Sequence, residues 1–200
     1  MVRIALTKHS NIRALTSFAS LSLALLLAVV PVAASAEKAD RDKPMNIEAD
    51  NLDHDELKQL SIFTGKVVAT KGTITMRGHR LEVRQDPDGF QYGILTAVPG
   101  ARAFYRQKRE GVDEWIEGEG ERIEYDGRAD KVVLLSKADF RRYRGTVLSD
   151  QMTGQRIVYE NLSDQFTVDG QLAGSKPAAD APKGRVRAVL TPRNNDEAAK

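Results

Sequence analysis

Between Pro44 and about Gly170 the apolar and polar residues alternate in short runs. Thr73-Ile74-Thr75-Met76-Arg77 alternates, and so do Arg80-Leu81-Glu82-Val83-Arg84, Arg122-Ile123-Glu124-Tyr125-Asp126 and Arg156-Ile157-Val158-Tyr159-Glu160. Alternation places residues two apart on one face of a strand. Turn-forming stretches separate the runs: Asp86-Pro87-Asp88-Gly89, Pro99-Gly100, Asp126-Gly127 and Asn161-Leu162-Ser163-Asp164. No window sustains apolar spacing at i, i+3, i+4 and i+7, so the pattern predicts no helix. Short strands at even spacing predict an all-β domain.

The runs also resemble one another. The pattern Gly-x-Arg-(Leu/Ile)-x-(Val/Tyr) opens at Gly78, Gly120 and Gly154, with starts 42 and 34 residues apart. A weaker copy lies at Ala49–His54, and Gly72-Thr73-Ile74 matches Gly145-Thr146-Val147. Such periods predict stacked strand-and-turn units that share one core. The set predicted to face inward is Ile74, Met76, Leu81, Val83, Ile123, Tyr125, Ile157 and Tyr159, joined by Met45, Ile47, Phe63, Ile94, Phe104, Val133, Leu135, Phe166 and Val168. These residues either fill a dry core or line a groove for an apolar ligand.

The chain's 200 residues suit one domain. With 41% hydrophobic and 29% charged residues it is not a polytopic membrane protein. The absence of cysteine excludes a disulfide scaffold, a thiolate metal site, a Cys nucleophile and a lipoprotein anchor.

Residues 1–36 read as a cleaved signal peptide. Arg3, Lys8 and Arg13 precede the apolar stretch Leu21–Val30, Pro31 breaks it, and Ala34-Ser35-Ala36 supplies a small-x-small cleavage site before Glu37. An uncleaved anchor is the competing reading, but the run is short for a membrane core of about 30 Å. Without this segment 27 basic residues face 28 acids, a formal charge of −1. That removes the electrostatic case for nucleic acid. The expected destination is the periplasm. Residues 37–43 read as a disordered leader and 44–170 as the domain. Residues 171–200 read as a linker, one late strand near Arg185–Thr191 and a polar tail.

No catalytic constellation emerges, and no cofactor or metal is expected. Asp53-His54-Asp55-Glu56 reads as a solvated turn rather than a metal site. The carboxylates of Glu114–Glu121 alternate along one strand and read as a solvated face. Arg141-Arg142-Tyr143-Arg144, with Arg102, Arg106, Lys108 and Arg109, concentrates positive charge suited to phosphate or carboxylate groups, or to guarding a sheet edge.

One ordered series carries a resemblance: Pro44-Met45-Asn46-Ile47-Glu48-Ala49-Asp50, Phe63-Thr64-Gly65-Lys66-Val67, Gly72-Thr73-Ile74, Ala101-Arg102-Ala103-Phe104-Tyr105, and Gly154-Gln155-Arg156-Ile157 with Tyr159. It resembles the LptA/OstA-like family of periplasmic lipopolysaccharide-transport bridge proteins. The resemblance implies a twisted, slightly open β-jellyroll of stacked antiparallel hairpins, whose groove holds lipopolysaccharide acyl chains. It also implies end-to-end self-association, an LptC-like inner-membrane partner, an LptD-like outer-membrane partner, and no enzymatic activity of the chain's own. The implied acyl-chain contacts are Met45, Ile47, Phe63, Ile74, Met76, Leu81, Val83, Phe104, Ile123, Tyr125, Leu135, Ile157 and Tyr159. Arg102, Arg106 and Arg141 are the implied head-group contacts. A membrane-tethered LptC-like component and a structural β-repeat protein without lipid cargo are the competing readings.

Overall fold

A computed structural model describes residues 40–109, 111–172 and 184–192. The expected signal peptide lies outside them, as do most of the linker and the polar tail. Among the described residues twelve strands form in chain order: β1 (Met45–Glu48), β2 (Asn51–Asp55), β3 (Leu60–Lys71), β4 (Ile74–Gln85), β5 (Gln91–Thr96), β6 (Ala103–Lys108), β7 (Glu114–Gly120), β8 (Arg122–Asp126), β9 (Lys131–Arg144), β10 (Val147–Glu160), β11 (Gln165–Asp169) and β12 (Arg187–Leu190). All pairings are antiparallel.

The four long strands give the sheet its shape. One half of β3 pairs with β2 and the other with β1. One half of β4 pairs with β5 and the other with β6. β9 pairs with β8 and then β7, and β10 with β12 and then β11. The sheet therefore folds into two layers joined along a crease. Layer A holds β1, β6, β7, β12 and one half of each long strand; layer B holds β2, β5, β8, β11 and the other halves.

The repeated glycine is the crease residue. Gly78 and Gly154 lie inside β4 and β10, and Gly120 ends β7 just before β8. A Cβ at Gly78 would lie 2.6 Å from Leu95 Cδ1, at Gly120 2.9 Å from the Leu135 carbonyl, and at Gly154 2.8 Å from the Asp169 carbonyl. At Gly120 and Gly154 the neighbour is backbone, and only glycine lets it pass that close. Elsewhere the crease bends through a left-handed pair, Gly65-Lys66 in β3 and Ser136-Lys137 in β9. The bend also resets the alternation. Met76 and Leu81 are five residues apart, yet both face inward and are buried. The runs Thr73–Arg77 and Arg80–Arg84, two strands by pattern, are thus the two halves of β4.

The residues between the layers form one core, including Val67, Ile74, Met76, Leu81, Leu95, Tyr105, Ile116, Ile123 and Ile157. Opposite the crease, the hairpin turns of both layers form a long mouth. Of the expected leader, Asp40–Lys43 lie within the described residues and form a turn at this mouth. Its Asp40 carboxylate accepts hydrogen bonds from Thr73 N–H at 2.6 Å and Thr73 Oγ1–H at 2.5 Å, which a charged segment satisfies without leaving the fold. At the sheet's ends, among the described residues, β1 and β2 pair only with β3, and β11 and β12 only with β10, so no described strand covers either end.

Candidate functional site

Cross-strand register aligns the inward side chains into rows. In layer B one row runs Leu52, Phe63, Leu81, Leu95, Ile123, Leu134, Ile157 and Val168. It crosses eight strands without a polar residue. At about 4.8 Å per strand it extends roughly 34 Å from one end of the sheet to the other. In layer A the corresponding row is Ile47, Ala69, Met76, Tyr105, Gly118, Phe140, Met152 and Ala188. Phe140, Tyr159 and Phe166 gather toward the C-terminal end, with Tyr159 stacked on Phe166 at 4.7 Å between ring centroids.

Eleven of the thirteen residues expected to line the interior stand there. Ile74, Met76, Leu81, Ile123, Tyr125, Ile157 and Tyr159 are buried in the core. Met45, Ile47, Phe63 and Val83 pack against it, half-buried near the N-terminal edge. Phe104 and Leu135 do not. In β6 the buried residues are Ala103, Tyr105 and Gln107, so Phe104 lies on the outer face, under the Arg77 guanidinium at 5.0 Å. In β9 Leu134 takes the inward place, and Leu135 turns outward. Ile94 and Val133 are displaced in the same way by Leu95 and by Val132 and Leu134. In each case two neighbouring residues are apolar, so alternation does not say which one faces in. A slip of one residue reverses the side.

The arginines expected at the mouth also face outward. Arg106 pairs with Glu117 at 3.5 Å and lies over the Trp115 ring at 4.3 Å. Arg102 pairs with Glu119, and Arg141 reaches the same carboxylate at 3.0 Å. These are cross-strand ion pairs on the outer face of layer A. The cations that do face the interior were missed by the sequence reading. Lys71 and Arg142 are buried on the mouth-side row of layer A. Arg142 faces Asp150 at 3.6 Å and lies 5.0 Å from the Phe166 ring centroid. The Lys71 ammonium donates to the Lys43 carbonyl at 2.6 Å and to Gln91 Oε1 at 3.2 Å, and burial pulls its pKa below the ordinary lysine value. Arg109 joins the layers by pairing with Glu114 of layer A and Asp164 of layer B. Arg142 follows Arg141 directly, so the clue in the sequence was again only parity.

Among the described residues the core holds a crevice of about 10 Å³ between Tyr105, Ile116, Gly118, Leu134, Phe140 and Tyr159. That is room for about one water molecule. Burial pushes the phenols of Tyr105 and Tyr125 far above their ordinary pKa and that of Tyr159 up to about 12. A much larger cleft, about 630 Å³, lies on the outer face of layer B and includes Ile94, Val133, Leu135, Arg156 and Leu172 in its lining. Among the described residues no group of His, Asp and Glu is placed to hold a metal ion. His54, on the exposed strand β2 rather than in a turn, bonds Ser61 of β3 and Glu56.

Comparison with known proteins adds the following. Residues 46–165 match the family described as LptA/(LptD N-terminal domain) LPS transport protein. The chain is 28% identical over 160 residues to the lipopolysaccharide export system protein LptH of Pseudomonas aeruginosa, covering 80% of this chain and 86% of that protein. It is 30% identical over 156 residues to the lipopolysaccharide export system protein LptA of Escherichia coli K12, covering 76% and 82%. Its fold is similar to the crystal structure of LptH, the LptA-homologous periplasmic component of the lipopolysaccharide transport device of P. aeruginosa. The TM-score is 0.65 at 25% identity, covering 77% of this chain and 99% of that one.

Proposed function

Because the chain belongs to the LptA/LptD N-terminal-domain family of LPS transport proteins, we propose that it binds lipopolysaccharide by its acyl chains and carries it through the periplasm as one protomer of a protein bridge. The observation that carries this reading is the unbroken apolar row between two sheet edges that no described strand covers. Each buried methylene contributes about 0.8 kcal/mol, so several acyl chains are held firmly without any catalytic group. Strand addition at a free edge joins one sheet to the next. A head-to-tail contact of this kind repeats into an open filament. An LptC-like sheet at the inner membrane and an LptD-like sheet at the outer membrane are its termini, and residues 1–36 are removed on export.

The acyl-chain contacts in this reading are the inward residues, with Phe63, Val83, Met152 and Val168 near the two edges. Phe104 and Leu135 are withdrawn from the set, and Tyr105 and Leu134 take their places. Lys71 and Arg142, rather than Arg102, Arg106 and Arg141, are the cations that a phosphorylated head group at the mouth meets.

In vivo photocrosslinking tests this. A photoreactive residue at Phe63 gives a lipopolysaccharide adduct, and one at outward-facing Phe104 gives none. Adducts at neither position, with both proteins folded and exported, would return the interior to the role of packed core.

A further inference from the structure

The turn Asp40–Lys43 lies across the mouth and touches both layers. On layer A its Asp40 carboxylate binds Thr73 N–H and Oγ1–H, and accepts a longer bond of 3.4 Å from Gln107 Nε2. Gln107 is buried and accepts the Tyr105 hydroxyl at 2.6 Å. The Lys43 carbonyl takes the buried Lys71 ammonium. On layer B Arg41 Nη2 donates to the exposed Arg128 carbonyl at 3.0 Å, and its guanidinium lies 4.9 Å from the centroid of the half-buried Phe90 ring. The seat under Asp40 is shaped for it. Gly72, at φ +58°, leaves a space in which a Cβ would lie 2.0 Å from Asp40 Oδ1. The same Gly-Thr turn recurs at Gly145-Thr146, where a Cβ would meet nothing within 4 Å.

We propose that Asp40–Lys43 is a releasable strap that seals the mouth over the Ile74–Tyr105 side of the interior, and that it lifts to load acyl chains. The regulation of loading rests on the lipid-binding reading above; the sealing itself does not. The two fastenings differ in kind. Asp40 is held by charge-assisted bonds in a shaped, partly buried seat, whereas Arg41 is held by one exposed carbonyl and the half-buried Phe90 ring. The strap therefore hangs chiefly on the Asp40 seat at Gly72-Thr73, and it opens when that seat lets go. Ile74, in the core beside that anchor, lies beneath it. Ile157, on the far side of layer B, does not. With the strap bridging both layers at the mouth, its release opens a side route into the packed core.

The chain has no cysteine, so single thiols report cleanly. In Ile74→Cys, adding Asp40→Ala speeds maleimide labelling at least tenfold, while labelling of Ile157→Cys is unchanged by Asp40→Ala. Equal acceleration at both sites, or at neither, would overturn the seal. Loading is read with a fluorescent lipopolysaccharide on the otherwise natural chain, where Asp40→Ala raises the association rate several-fold. A second variant, Asp40→Cys/Thr73→Cys, covers the case in which Ile74→Cys does not fold: oxidation slows loading at least tenfold and reduction restores it. Equal loading in the two redox states would overturn the strap. If the unmodified protein binds no lipopolysaccharide, the functional reading fails, and the thiol experiment still decides whether the strap seals.

Discussion

At Gly120 one methyl group decides whether two strands can pass. A Cβ there would meet the Leu135 carbonyl at 2.9 Å, the Leu135 nitrogen at 3.1 Å and the Arg122 carbonyl at 3.2 Å, all of them backbone. At Gly93 a Cβ would meet only Leu81 Cδ1 at 3.6 Å and Tyr125 Cβ at 3.7 Å, ordinary contacts. Gly120→Ala is therefore expected to cost about 1–3 kcal/mol, and Gly93→Ala to leave stability within about 0.5 kcal/mol. Urea unfolding midpoints check this, and equal midpoints would mean that the crease has slack. The repeated glycines were visible in the sequence because the motif recurs, but their reason was not. A pattern of Gly followed by apolar residues at i+3 and i+5 is odd for a flat strand, and it becomes regular only once the chain bends at the glycine. Facing was legible where apolar residues alternate with charged ones, as at Ile123-Glu124-Tyr125. It was illegible at Ile94-Leu95, Phe104-Tyr105 and Val132–Leu135, where both faces are apolar: Ile94, Val133 and Leu135 line the outer cleft, and Phe104 lies under Arg77.

Strands follow the same logic at a larger scale. The sequence pattern predicts many short strands, and the structure fuses pairs of them into β3, β4, β9 and β10, because a bulge or glycine bends a strand without ending its pairing. The late strand was legible from Arg187-Ala188-Val189-Leu190 before Pro192. Its partner was not, since the linker before it sets no register. That strand, β12, lies on β10 with Met152 opposite Ala188 and Asp150 opposite Leu190, and all four of its residues are exposed. An element that buries so little adds little to the fold, yet it covers half of the β10 edge. Truncation before Gly184 is thus expected to leave the circular dichroism spectrum intact and Tm nearly unchanged while weakening self-association. Sedimentation velocity over a concentration series reads the second effect. A truncated chain that unfolds, or that associates as before, would show that β12 is not the docking edge.

For the molecule as a whole the question is whether the two layers stay closed in water. Tyr105, Tyr125 and Tyr159 stand inside, each held neutral chiefly because burial disfavours the phenolate. A folded-state pKa above the unfolded one has a fixed consequence. The stability linked to it is complete below the unfolded value of 10 and disappears as pH climbs through the folded value, about 12 for Tyr159. At 1.36 kcal/mol per pH unit, Tyr159 alone withdraws about 2.7 kcal/mol across that window, and Tyr105 and Tyr125 add to the loss. Glu114 acts at the other extreme. Its burial is outweighed by Arg144 and Arg109, its pKa falls below 4.5, and its contribution is lost as pH drops through that lower value. The closed protein should accordingly show an alkaline transition in which tyrosinate absorbance and loss of β-sheet signal rise together above pH 10. An interior that already breathes widely would titrate its tyrosines near pH 10 with the sheet intact. That outcome would place the open form, rather than the closed one, as the resting state from which cargo is taken up.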